Sequence, residues 1–310
     1  MSRRYAVIDV FTANPLSGNP LAVVVDAEGL DAATMQHFAA WTNLSETTFL
    51  LPPTQPGADY RVRIFTPRNE LPFAGHPSVG SAFVAIESGL VDAGKRELVQ
   101  ECAAGLLPVR VEGEGAARRI HLRAPSAKLA DEDSSLASNL RQALGAGVRA
   151  ARNVCNGPWW IVTDLGEESA VRTLHPDMAA VAALTMRLGA VGVCVFGRSR
   201  EPGFAMAVRA FCPADGIPED PVTGSANAAI AAYLHATGKL AEFGKRYRAS
   251  QGREVGRDGV VEVAVDEEGE VWIGGECARV VSGTTLLHRD ESLGAAGPSR
   301  LRSPASTGDH

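Results

Sequence analysis

The 310-residue sequence has little that would mark a cofactor or metal enzyme. No GxGxxG opens a βαβ unit, and there is no Walker sequence, no HExxH and no Cys/His cluster at zinc spacing. Dinucleotide, nucleotide-phosphate and zinc chemistry therefore lose their usual sequence support. Cysteine is sparse: Cys102, Cys155, Cys194, Cys212 and Cys277 are scattered without a CxxC pair, an odd count that suits reduced core thiols better than a disulfide framework. Basic excess is also missing. A formal charge of −6 and a pI near 5.7 offer no face for nucleic acid or anionic lipid. The longest apolar stretch, Met178 to Phe196, is interrupted by Arg187, so no membrane span is expected. The apolar run at the N-terminus is cut by Asp9 and reads as a first strand rather than a secretory signal, so a cytoplasmic protein is expected.

What is present is an ordinary globular composition, 45% hydrophobic and 21% charged, with 32 glycines and 18 prolines punctuating many short elements. The length exceeds the usual single-core size, so two domains are expected. The sequence also contains one motif twice. Phe65-Thr-Pro67 through Leu71-Pro72, Gly75-His76-Pro77 and Gly80-Ser81-Ala82 can be laid, with a two-residue gap, against Phe211-Cys-Pro213 through Ile217-Pro218, Asp220-Pro221 and Gly224-Ser225-Ala226. Each copy follows a β-rich run and precedes an apolar stretch ending at Gly89 or Gly238, which reads as strand, loop and buried helix with a glycine C-cap.

Alternating segments predict strands at Tyr5–Phe11, Leu21–Val25, Thr47–Leu51, Leu107–Val111, Ile120–Leu122, Trp159–Thr163, Val191–Phe196, Val260–Val265 and Val271–Ile273. Surface helices are predicted over Asp31–Thr42, opened by an Asp N-cap, and as a pair between Ser134 and Leu188. The expected fold is α+β: two similar halves, residues 1–125 and 126–287, each a mostly antiparallel sheet curled around a central apolar helix. The Arg-, Ser- and Pro-containing tail, 288–310, is expected to be disordered.

Under this alignment His76 and Asp220 are equivalent, each a polar residue before proline at a helix start. Asp220 reads equally as a structural N-cap and as a site carboxylate. Converging helix starts would present unpaired N–H groups to an anion, with Gly75, Gly80, Gly224 and Ser225 admitting it closely, although glycines also serve turns. His76 could be an ordinary buried histidine or a proton carrier. Glu46, in Ser45-Glu46-Thr47-Thr48, precedes an apolar strand and not a helix. That weakens a capping-box reading and leaves a carboxylate whose surroundings would raise its pKa toward that of a usable base. Ser225 lacks the nucleophile-elbow context of hydrolases. Proton transfer on a small carboxylate, with no cofactor and no metal, is the chemistry left.

These same residues carry a resemblance. Phe11-Thr-Ala-Asn-Pro-Leu-Ser-Gly-Asn-Pro-Leu-Ala-Val-Val24, Ser45-Glu46-Thr-Thr-Phe49, Ala74-Gly-His-Pro77, Gly216-Ile-Pro-Glu-Asp-Pro-Val-Thr-Gly-Ser-Ala226 and Gln251-Gly252 together resemble the PhzF family of phenazine-biosynthesis-like proteins. The resemblance implies the diaminopimelate epimerase-like fold and a homodimer. Relatives of that fold use two opposed cysteines; here Ala74-Gly75-His76 and Glu219-Asp220 stand in their place, so a two-thiol mechanism is excluded. By position Glu46 would shuttle a proton within a substrate such as trans-2,3-dihydro-3-hydroxyanthranilate, while His76, Asp220 and Ser225 contact it. An isomerase or epimerase acting on another amino-acid derivative, and a non-catalytic protein binding a metabolite or a protein, are the alternatives.

Overall fold

Four helical crossovers organise the chain. In the computed structural model, which describes residues 2–288, each parallel strand pair is bridged by helix, as the geometry of parallel pairing demands. The first half of the chain runs β1 (Arg3–Val10), β2 (Asn19–Val24), α1 (Ala32–Thr42), β3 (Thr47–Leu51), β4 (Tyr60–Phe65), β5 (Glu70–Leu71), α2 (Gly75–Glu87), β6 (Glu97–Cys102), β7 (Gly105–Glu112) and β8 (Arg119–Arg123). It continues with β9 (Lys128–Leu129), α3 (Leu136–Leu144), β10 (Ala150–Cys155), β11 (Trp159–Glu167), α4 (Glu168–Arg172), α5 (Met178–Leu188), β12 (Gly192–Arg198) and β13 (Met206–Cys212). The last elements are β14 (Ile217–Asp220), α6 (Gly224–Ala236), β15 (Arg246–Gln251), β16 (Gly259–Val265) and β17 (Val271–Thr285). The parallel pairs are β2/β3, β4/β6, β11/β12 and β13/β15; the other pairings are antiparallel.

Strands β1, β2, β3, β4, β6, β7, β8 and β17 pair in sequence until β17 returns to β1, closing a ring. Helix α2 packs against six of these strands, and every residue from Gly75 to Ile86 is buried, which requires a helix apolar on all faces. Strands β10, β11, β12, β13, β15, β16 and β17 form a second run that carries α6. There Ala226, Ala228, Ala229, Ala231 and Ala232 let a helix fit a narrow interior. The long final strand belongs to both sets, because Val271 to Gly274 pairs with β16 and Cys277 to Thr285 with β1.

The expected α1 forms, with the Asp31 side chain accepting from the Thr34 N–H. Between Ser134 and Leu188 there are three helices instead of two, because Glu168–Arg172 makes an additional single turn held by the Arg172–Glu168 ion pair. Strands β6, β10 and β15 lie where no strand was expected, since their charged and polar residues mask the alternation. The expectation for the tail falls on residues 289–310, outside the described residues.

The repeat is real in local structure, but its register differs from the sequence alignment. Both buried helices span thirteen residues, starting at Gly75 and Gly224. They end alike: the Leu90 N–H reaches the Ala85 carbonyl and the Lys239 N–H the Leu234 carbonyl, around positive-φ Gly89 and Gly238. Gln100 on β6 donates to Ser78, and at the matching places Asn227 donates to Gln251 on β15. His76 therefore corresponds to Ser225, not to Asp220, which ends a short strand ahead of its helix and is no N-cap. Thr223 is the N-cap.

Candidate active site

The starts of α2 and α6 meet. A Cβ placed on Gly75 would lie 3.6 Å from the Ser225 nitrogen, and one on Gly224 would press on Ile273 and the Phe11 ring. Neither N-cap, Ala74 nor Thr223, makes a side-chain capping bond. Two buried helix ends thus direct first-turn N–H groups and positive dipole ends at shared space, the arrangement that holds a carboxylate. Phe11 sits beneath Gly224 in a left-handed conformation (φ 67°), rare for a bulky residue and found where the surroundings force it.

Glu46 enters from the residue just before β3, and its side chain is 16% exposed. His76, the second residue of α2, places Nε2 3.4 Å from Glu46 Oε2 without a hydrogen bond between them, and neither atom has a hydrogen-bond partner in the protein. Burial holds the imidazole down to about 3, so this contact is not an ion pair at neutral pH. Burial, with negative Asp220 as the second cause, pushes Glu46 up to about 7. Asp220 is raised to about 6, again by burial, against the pull of hydrogen bonds from Thr223 and Asn19. Two carboxyls titrating near neutrality beside a neutral imidazole can take and return protons.

Of the residues expected to form the site, Glu46 and His76 are in contact, Glu46 and Asp220 are electrostatically coupled, and Gly75, Gly224 and Ser225 line the helix junction. Gly80 is not part of it. A Cβ there would lie within 2.6–2.8 Å of Leu21, Ile8 and Val10, so this glycine serves close packing of α2 on β1 and β2. The structure adds residues that had no assigned role. Trp160 Nε1 donates to Ser225 Oγ (3.1 Å), Asn156 Nδ2 donates to the Ser225 carbonyl (2.7 Å), and Asn19 Nδ2 donates to Asp220 Oδ1 (3.0 Å). Asn19 and Gln251 stand in the resemblance motifs, but nothing local in the sequence shows what they touch.

A buried carboxyl against an imidazole, near two uncapped helix starts, is a geometry suited to acid–base chemistry. A family model described as "Phenazine biosynthesis-like protein" matches residues 8–283. The chain is 35% identical over 291 residues to "Antisense-enhancing sequence 1" of Schizosaccharomyces pombe, covering 90% of this chain and 97% of that one. It is also 35% identical over 291 residues to the trans-2,3-dihydro-3-hydroxyanthranilate isomerase of Pseudomonas aeruginosa, covering 92% and 99%. The crystal structure of a Bacillus anthracis phenazine biosynthesis protein of the PhzF family superposes with a TM-score of 0.80 at 26% identity, over 93% of this chain and 100% of that one. The chain belongs to the PhzF family and is an isomerase of the PhzF type.

Proposed function

We propose that the protein isomerises a small cyclic carboxylate of the trans-2,3-dihydro-3-hydroxyanthranilate type, with Glu46 as the proton carrier. The supporting observation is Glu46 itself, buried, poised near pH 7 and set against His76 at the uncapped start of α2. Glu46 removes a carbon-bound proton beside the substrate hydroxyl, the ring electrons shift, and the same carboxyl returns the proton at another ring carbon. The enol left behind relaxes to a ketone, so no atom is gained or lost. The N–H groups at Gly75 and Gly224 hold the substrate carboxylate, Ser225 donates a hydrogen bond, and His76 and Asp220 orient the ring and its substituents.

Ser225 suits its part because Trp160 already occupies one acceptor position of its hydroxyl and leaves the hydroxyl proton to give. The two chain segments 1–125 and 126–287 act as similar halves around this site, the end of the second segment closing the first ring through β17, and a homodimer in the cytoplasm is the working form. Its five unpaired cysteines suit a reducing compartment, and among the described residues no helix is long and apolar enough to cross a membrane.

The test is incubation with trans-2,3-dihydro-3-hydroxyanthranilate in deuterated water, following ring-proton signals and product absorbance. Conversion that disappears in Glu46→Gln is the expected result. Full turnover by that variant would overturn the role of Glu46, and binding without conversion would overturn the substrate.

A further inference from the structure

Asp220 lies in a hydrogen-bond network whose amide orientations are set by backbone groups that can only donate or only accept. The Thr223 backbone N–H can only donate, and its acceptor is Gln251 Oε1 at 3.0 Å. Gln251 Nε2 therefore faces the other way, donating to Thr223 Oγ1 (2.9 Å) and to the Asp220 carbonyl (3.1 Å). Asn227 Nδ2 also donates to Gln251 Oε1 at 3.0 Å, fixing the same orientation. Thr223 Oγ1, which accepts from Gln251, gives its single hydroxyl proton to Oδ2 of ionised Asp220, 2.6 Å away. On the other side the Val222 carbonyl can only accept, so Asn19 Nδ2 faces it at 2.8 Å and turns its second hydrogen to Asp220 Oδ1. Both carboxylate oxygens of Asp220 are acceptors. Asn19 and Thr223, the two donors to this carboxyl, are 1% and 6% exposed, so a proton on Asp220 would leave one of them without its acceptor.

We propose that Asn19, Thr223 and Gln251 are positioning residues that favour Asp220 as the acceptor of the carboxyl pair and so assign the pair's first proton to Glu46. This rests on reading Glu46 and Asp220 as the acid–base machinery. The other groups around the pair do not compete for the role. His76 is neutral, and Glu219 is matched by Arg209 at 2.8 Å. The Cys212 thiol is pushed well above its ordinary range by burial and stays uncharged. Glu46 at about 7 and Asp220 at about 6 fall in the same order as the network dictates. Asp220 keeps its charge, that charge raises Glu46, and Glu46 titrates where a proton can be both taken and returned.

The experiment is a carbon-13 NMR titration of side-chain carboxyls in the ligand-free protein, assigned with Glu46→Gln and Asp220→Asn. Asp220 is expected to titrate below Glu46. In Asn19→Leu and in the near-isosteric Thr223→Val, loss of a donor to a charged acceptor should raise Asp220 by about one pH unit and lower Glu46. Should Asn19→Leu fail to fold, Thr223→Val decides alone. A wild-type protein in which Glu46 titrates first, or a folded Thr223→Val with the order and spacing unchanged, would overturn the proposal. No substrate enters this measurement, so an absence of isomerase turnover would leave its outcome readable and would count against the substrate reading separately.

Discussion

His76 Nε2 faces Glu46 Oε2 at 3.4 Å with both side chains largely buried, and the contact joins a neutral ring to a carboxyl poised near neutrality. Its sign matters for acid stability. With a folded pKa near 3 against an ordinary 6.5, the unfolded chain takes up a proton that the native chain refuses as pH falls below about 6.5. His76 therefore destabilises the fold progressively toward acid. His76→Gln should flatten the decline of Tm between about pH 6.5 and pH 4, measured by thermal unfolding across that window. An unchanged slope would mean that His76 is protonated in the native state.

Glu46 has the opposite linkage. Its folded pKa, about 7, stands above its ordinary 4.5, so the native chain keeps a proton that the unfolded chain releases, and stability falls as pH rises through that interval. At about pH 8 the ionised, buried carboxyl costs on the order of 1–3 kcal/mol. Glu46→Gln should raise Tm by a few degrees at about pH 8 and change little at about pH 4, while turnover falls by at least ~10²-fold. In the wild type kcat/KM should rise with pH through about 7, because a base must be ionised to act. Paired pH–rate and pH–Tm profiles check both halves.

Two glycines of α2 should separate cleanly. Gly75→Ala adds a methyl 3.3 Å from Ile273 Cδ1 and 3.6 Å from the Ser225 nitrogen, at the mouth of the helix junction and with no positive φ to strain it. The fold should survive, with substrate affinity lost about tenfold or more as the anion is kept from the N–H groups. Gly80→Ala drives a methyl to 2.6 Å from Leu21 Cδ2 and 2.8 Å from Ile8 and Val10. It should cost ~1–3 kcal/mol of stability and leave KM alone in whatever fraction folds. Equal effects on binding from both variants would remove the anion cradle.

That pair of glycines also explains what could be read from the sequence. The duplicated strand, loop and buried helix were legible, because a repeated proline-containing motif and apolar stretches ending in glycine are local signals. Register was not. Matching Gly80-Ser81-Ala82 to Gly224-Ser225-Ala226 aligned a packing glycine with a helix-start glycine, since a glycine in sequence does not say which contact excludes its side chain. Glu46, His76, Asp220 and Ser225 were legible as candidates, whereas their supports were not. Asn19 reaches Asp220 across 201 residues, and Trp160 reaches Ser225 across 65, distances that only the closed strand pairing brings to hydrogen-bond range. The strands β6 and β15 escaped for a related reason, as they carry the buried glutamines Gln100 and Gln251 where alternation would place apolar residues.

The residue before Asp220 anchors the hairpin that presents it. Glu219 accepts from Arg209 Nε (2.9 Å) and Nη2 (2.8 Å), both side chains are 7% exposed, and Arg209 Nη1 donates to the carbonyls of Val171 and Leu174. Planar two-point pairing, with Nη1 held by two backbone carbonyls, is the geometry in which a buried ion pair holds its place. Removing one partner strands the other charge, so Glu219→Ala should cost ~3–5 kcal/mol in denaturant unfolding. The double change Arg209→Met with Glu219→Leu should cost clearly less than the two single changes added, because no charge is left buried. Its activity should still fall, since the strand ending at Asp220 loses the tie that sets its position against Glu46. Additive single costs would mean that the pair contributes only packing.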